Sequence, residues 1–167
     1  RSALEAFQGG RLVVQIMDMP IKCPVAPLEF VFLADDYFKK RGIRDSVQIS
    51  FVTPLSGAFT KPVASEKLGH LLADKNIEVI TDFYTEKVDG ATKTVYCYDG
   101  RTFNYDMFVT VPTNVGAPMV RQQDFVDDMG FVQVDPHTLQ STKYQDIFAI
   151  GDVACMVQEK YPNGHPQ

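Results

Sequence analysis

Residues Ile77 to Val111, IEVITDFYTEKVDGATKTVYCYDGRTFNYDMFVTV, decide the fold. The stretch opens on a short apolar run, Ile77 to Thr81, that reads as a buried strand. Three short alternating segments follow, Phe83 to Val88, Thr94 to Tyr98 and Arg101 to Asn104. Asp89-Gly90 and Asp99-Gly100 mark the turns between them, and the second is the usual signal for a two-residue hairpin. The stretch closes on Met107 to Val111 (MFVTV), again an unbroken apolar run. The pattern predicts a three-strand antiparallel meander set between two buried strands.

Upstream, the period changes from two to that of helices. Leu12 to Met17 (LVVQIM) predicts a buried strand, and Asp18 to Pro27 a proline-rich loop. Leu28 to Arg41 reads as a helix with Phe30, Ala34, Tyr37 and Phe38 on its apolar side, alongside Leu28, Val31 and Phe32. Lys39, Lys40 and Arg41 complement the helix dipole at its end, and Gly42 is placed as a left-handed cap. Val47 to Thr53 predicts a second strand, and Pro62 to Asp74 a second helix with Ala64, Leu68, Leu71 and Leu72 on one face. Strand–helix–strand–helix–strand is the unit of a parallel sheet with crossover helices, to which Met107 to Val111 can return. The expected fold class is therefore α/β, a parallel sheet with crossover helices and an inserted meander. After Pro112 the chain turns irregular, with Gly130 to Val134 and Ile147 to Ile150 as further strands.

Composition narrows the function. The 167 residues carry a net charge of -5 and a pI near 5.1, which excludes the basic footprint of a nucleic-acid binder. No apolar run reaches the length of a membrane span, and no signal peptide is visible. Cys23, Cys97 and Cys155 are far apart without nearby histidines, so no metal site is expected and free thiols are favoured. Cys97, mid-strand in the meander, reads as structural. A start at Arg1 and an end at Gln167 in a Gly/Pro-rich stretch read as the ends of an excised piece.

The sharpest chemical signal is Thr142 to Asp152, TKYQDIFAIGD. The run Ile147 to Ile150 predicts a buried strand that delivers Gly151 to a tight turn, where backbone can approach a ligand. Asp152 would then stand at the carboxyl end of a strand, where ligands bind in open α/β sheets, able to accept hydrogen bonds from sugar-like hydroxyls. A plain strand followed by an Asp-capped turn is the structural alternative. A Thr followed by an apolar strand ending in Ala-x-Gly-Asp resembles the second FAD fingerprint of the disulfide-reductase flavoproteins, in which the Asp holds the ribityl chain of the flavin. The meander ahead of the last parallel strand resembles the Rossmann-like pyridine-nucleotide-binding domain of the same proteins. The resemblance implies a Rossmann-like second domain over 11–113 and a partial FAD-binding segment over 114–167. Gly151 and Asp152 would be cofactor-binding.

A departure sharpens the reading. A dinucleotide-binding domain joins its first strand and helix with Gly-x-Gly-x-x-Gly. Aligned on Glu29, the glycine positions here hold Lys22, Pro24 and Pro27. Prolines donate no N–H, so this loop cannot cradle a pyrophosphate. The second strand ends in Thr53-Pro54, without the acidic residue that grips a ribose. In place of the glycines stands PIKCPVAPLE, Pro20 to Glu29. It resembles the Lys-Cys-Pro-x-Ala-Pro-x-Glu segment of sulfide:quinone oxidoreductases and flavocytochrome c sulfide dehydrogenases. FVTPLSGAFTKP, Phe51 to Pro62, extends a match that covers roughly Val13 to Ala154.

Cys23, shortly before a helix N-terminus and beside Lys22, sits where both neighbours favour the nucleophilic thiolate. A lone loop cysteine is otherwise an inert thiol. The resemblance implies that Cys23 is catalytic and receives sulfide sulfur as a persulfide. A second thiol then relays electrons to FAD, and FAD reduces a quinone. Cys155 is the candidate second thiol, although the family's second cysteine usually lies farther downstream. Glu29 reads first as a first-turn helix acid and second as a proton acceptor for Cys23. His70, His137 and His165 receive no catalytic role, with His70 on the exposed side of its helix and His165 in a loop that can approach a flavin.

The expected partners are sulfide or a similar small sulfur substrate and a quinone, with no nucleic acid. A homo-oligomer stays open, and the expected location is the cytoplasm, with peripheral association at the inner face of the membrane open for the whole protein. The chain lacks a glycine-rich loop for the FAD pyrophosphate, so by itself it is expected to bind FAD weakly or not at all and to be inactive. Two rival readings stay open: a related NADH:quinone-type flavoenzyme, and an isolated domain that serves as a non-catalytic module.

Overall fold

The apolar runs of the first 113 residues pair as one parallel sheet. The computed structural model describes residues 2–19 and 21–156. They fall into two compact units, Arg1–Thr113 and Asn114–Gln167. In the first unit a short helix α1 (Ser2–Ala6) precedes β1 (Gly10–Ile16), α2 (Ala26–Lys40), β2 (Val47–Val52), α3 (Pro62–Asp74) and β3 (Ile77–Ile80). The meander follows as β4 (Thr85–Asp89), β5 (Thr94–Cys97) and β6 (Thr102–Asn104), and β7 (Met107–Val111) returns to the sheet. The parallel order is β3-β2-β1-β7, and β4-β5-β6 forms a separate antiparallel sheet.

Alternate residues divide the sheet into two covered faces. Leu12, Val14, Ile16, Ile49 and Phe51 are buried with Leu28, Val31, Ala34 and Phe38 of α2 and Leu72 of α3. Val13 and Val52 point the other way, into Phe83, Val95, Cys97 and Phe103 of the meander side. Because both faces are covered, the strands read as continuous apolar runs and not as an alternation. Phe7, ahead of β1, also joins the core.

Local signals fix the helix ends. Gly42 has φ 69, its N–H donates to the Lys39 carbonyl at 3.0 Å, and Ile43 N–H reaches the Phe38 carbonyl at 3.1 Å. That pair of bonds is the Schellman closure, and the half-buried Ile43 packs onto the core beside it. Arg41 turns back to donate to the carbonyls of Leu4 and Phe7 at 2.9 and 2.8 Å, which pins α1. In α3 only Leu72 is fully buried; Leu71, expected on the same face, is 49% exposed. One helix face of this length rests on the sheet edge, so the stripe is narrower than the spacing predicts.

Asp35 of α2 is a buried carboxylate, 1% exposed, held by Lys39 at 2.8 Å, Arg44 at 2.6 Å and Lys75 at 3.2 Å. Arg44 also donates to the carbonyls of Val47 and Lys75, both at 2.7 Å, so one guanidinium ties α2, the start of β2 and the end of α3. Burial pushes the Asp35 carboxyl up, but the hydrogen bonds from Lys39, Arg44 and Lys75 together outweigh it and hold the pKa below the ordinary aspartate value.

The Asp99-Gly100 turn is not the two-residue hairpin expected. Gly100 N–H donates to the Cys97 carbonyl at 3.0 Å and Cys97 N–H to that of Arg101 at 2.9 Å, with Gly100 at φ 88. Those bonds enclose three residues, Tyr98 to Gly100, with glycine as the left-handed bulge residue that a side chain would strain. Asp99 accepts from the Arg101 backbone N–H at 2.9 Å. That bond, then the Cys97 thiol and the Arg101 side chain, lower its pKa to about 2.

The second unit is built from short elements, α4 (Pro118–Arg121), β8 (Val132–Val134) and β9 (Ala154–Met156). β8 and β9 pair in parallel over a core of Val132, Val134 and Ala149, and β8 also bridges Val126 and Ser141. The predicted strand Ile147 to Ile150 does not form: only Phe148 makes a bridge, to Gln140, and Phe148 and Ile150 are 61% and 72% exposed. The run bonds instead to the segment ahead of it, with Ser141 N–H donating to the Ile147 carbonyl at 2.8 Å and Ala149 N–H to that of Leu139 at 3.0 Å, an antiparallel contact one bridge long.

Candidate functional site

The loop from β1 to α2 presents Cys23. Met19 and Ile21 pack against the core on one side, and Pro27 and Leu28 are buried on the other. Between these anchors Cys23 is exposed as a free thiol. Its carbonyl accepts the Ala26 N–H at 3.3 Å, and Glu29 N–H donates to the Val25 carbonyl at 2.9 Å, so the loop winds directly into α2. Val25 caps the helix without a side-chain hydrogen bond, and Pro27 stands in the first turn. Pro27 suits that place, where an N–H would lack a helical partner, and it removes a donor a phosphate would need. Glu29 is exposed in the same turn.

The corner at the end of β2 is closed by main chain. Thr53 is buried; its N–H donates to the Ile80 carbonyl at 2.9 Å and its own carbonyl accepts from Phe83 at 3.1 Å. Asp82 N–H reaches the Leu55 carbonyl at 2.9 Å, and the Thr53 hydroxyl accepts the Leu55 N–H at 3.2 Å. The position where a ribose-binding carboxylate would stand is a buried hydroxyl used within its own turn.

In the second unit Gly151, Asp152 and Cys155 share one short segment. Gly151 to Val153 form a single 3-10 turn, with Gly151 at φ 71 and nothing within 4 Å of where a Cβ would stand. Asp152 is exposed, and Cys155 is half-buried in β9. Asp152 therefore precedes a strand, contrary to the expectation that it follows one. Cys97 is buried in the meander core and His70 is exposed on α3, while His165 and Pro20 lie outside the described residues. Among the described residues no three metal-ligating side chains gather as a metal site, and no helix is long and apolar enough to cross a membrane.

A polar group that the motif reading passed over is Gln15, fully buried in β1. Its signal was visible as the one polar letter in LVVQIM.

Residues 36–167 match the family model for pyridine nucleotide-disulphide oxidoreductases. The chain belongs to this family. Within the pyridine nucleotide-disulphide oxidoreductases it is similar to the mitochondrial sulfide:quinone oxidoreductase of Mus musculus, 27% identical over 157 residues, or 90% of this chain and 35% of the relative. The enzyme of the same name from Dictyostelium discoideum is 29% identical over 144 residues, 84% of this chain and 32% of that one. The sulfide:quinone oxidoreductase structure from Aquifex aeolicus superposes with a TM-score of 0.77 at 24% identity, covering 92% of this chain and 38% of that chain. The chain thus spans about a third of the length of the relatives it matches. The superposition supports the Rossmann-like α/β arrangement with its inserted meander.

Proposed function

We propose that this chain is the part of a sulfide:quinone oxidoreductase that carries the sulfur-accepting thiol, Cys23. The observation that carries the reading is the exposed Cys23 at the carboxyl end of β1, on a loop without glycine, in a chain similar to enzymes of that name. The half-buried Met19 and Ile21 on one side and the buried Pro27 and Leu28 on the other leave the thiol exposed between them, so a small sulfur anion can reach it. The cysteine and hydrosulfide join through a new S–S bond, which releases one proton and two electrons and leaves Cys23 as a persulfide. Cys155 is the candidate relay thiol, half-buried and three residues after Asp152.

Gly151 and Asp152 fit one end of a flavin. The left-handed Gly151 leaves open space where backbone can approach a ligand, and the exposed Asp152 carboxylate beside it can accept from ribityl hydroxyls. FAD, held there, would supply the acceptor for the two electrons released at Cys23, and a quinone taking up two protons would be their final destination. The quinone places the whole protein at a membrane surface as a peripheral protein.

The test is sulfide-dependent quinone reduction by the full-length protein and its Cys23→Ser variant. The variant is expected to fall to background with its flavin content unchanged. Activity equal to wild type removes Cys23 from the reaction.

A further inference from the structure

Gln15 is fully buried in β1. Its Nε2 donates to the hydroxyl of Thr85 in β4, and its Oε1 is buried without a hydrogen-bond partner among the described residues. Turning the carboxamide over moves the fault without curing it. Oε1 would then accept from Thr85, and Nε2 would be the end left over. Gln15 has no accessible surface, so solvent does not reach the unpaired end while the fold is closed. A buried polar atom in this state raises the free energy of the closed fold against any state that hydrates it.

The fault lies on the boundary between the parallel sheet and the meander. Gln15 follows Val13 on the face of β1 where Val13 and Val52 pack with Phe83, Val95, Cys97 and Phe103. The meander wall is thin at this point. β4 buries no side chain fully, with Glu86, Lys87 and Val88 exposed, and its ladder with β5 slips just past Thr85, between Thr85 and Lys87. The meander is tethered at its two ends. Phe83 N–H donates to the Thr53 carbonyl at 3.1 Å, and Asp106 N–H to the Arg11 carbonyl at 2.9 Å. Between these tethers Arg101 donates to the carbonyls of Thr81 and Asp82, but its side chain is 45% exposed, so water can take its place.

We propose that residues 84–105 open from the sheet as one hinged unit, ahead of unfolding of the sheet itself, and that the unpaired carboxamide of Gln15 makes this opening frequent. The opening hydrates Gln15 and uncovers Cys97, a buried free thiol and the register partner of Thr85 across β4 and β5. The meander is then a hinged cover, and Cys97 reports its motion. None of this depends on the role of Cys23.

Labelling of the folded chain with N-ethylmaleimide, followed for each cysteine by peptide mass, tests the proposal. Cys97 is expected to react slowly, at a rate that hardly changes with low urea, because a local opening exposes little surface. Amide exchange at Ile49 and Phe51, buried in β2, is expected to accelerate over the same range. A Cys97 rate that rises with urea in step with those amides shows that the thiol is reached only when the sheet unfolds, and overturns the proposal. Gln15→Met combined with Thr85→Val replaces both partners by apolar groups of similar size and leaves no polar end unpaired. The double variant is expected to slow the labelling of Cys97 by about fivefold, with Cys23 reacting as in wild type. Labelling of Cys97 as fast as in wild type, or faster, overturns the proposal. Where the double variant does not fold, the wild-type comparison decides by itself.

Discussion

The two units solve the same problem with unequal means. In the first, a four-stranded sheet is covered on both faces, by α2 and α3 on one side and the meander on the other. In the second, three-residue strands enclose a core of Val132, Val134 and Ala149 while Phe148 and Ile150 face outward. The first unit is held by buried apolar area. The second relies more on turns and close backbone approach, as where a Cβ at Gly116 would stand 1.8 Å from the Gly130 carbonyl oxygen. The contrast teaches where substitutions should matter.

The largest effect should come from the covered sheet. Phe51→Ala empties a fully buried position and is expected to cost about 3–5 kcal/mol in chemical denaturation. Phe148→Ala, at an exposed position, should stay within about 0.5 kcal/mol. Equal losses at the two sites would break the comparison. Next in size is Arg44→Met, which leaves Asp35 buried with two lysines only. A loss of about 3 kcal/mol is expected, at the lower end for removing one partner of a buried ion pair. An unchanged denaturation midpoint would show that Lys39 and Lys75 suffice.

The smallest effect is acid dependence. The Asp35 pKa is lowered on folding, so its ionised form stabilises the first unit above the ordinary value of 3.8. That contribution is lost as pH falls through the lowered folded value. Asp35→Asn should therefore flatten the decline of stability below about pH 4. An identical acid slope in the variant would assign the decline to other carboxylates.

Much of the first unit was legible because its signals are local. Pro62 and Asp74 bound α3 as predicted, Gly42 closes α2, and the Met107 to Val111 run returns to β1. The clasp on Asp35 was not legible. Asp35 stands in a helix like any polar residue, and two of its partners lie 9 and 40 residues away. The partner of Gln15 is 70 residues distant. In the second unit the apolar run Ile147 to Ile150 read as a strand and Ala154 to Met156 did not, because strand pairing with distant residues is not written in a short apolar run. Of the candidate site, the proline-stiffened Cys23 loop was legible from its composition. The order of Asp152 before a strand, and not after one, was not.

The corner from Thr53 to Leu55 has a kinetic meaning. Its three backbone bonds, Thr53 N–H to the Ile80 carbonyl and the N–H groups of Asp82 and Phe83 to the Leu55 and Thr53 carbonyls, tie the chain leaving β2 to the chain leaving β3. Three bonds within so few residues favour opening together over opening one by one. The amide protons of Asp82 and Phe83 should then exchange with solvent only when the sheet itself comes apart, at the slow rate of the core and not at the rate of a surface loop. A corner that breathes so rarely presents one fixed shape to whatever approaches the end of the sheet.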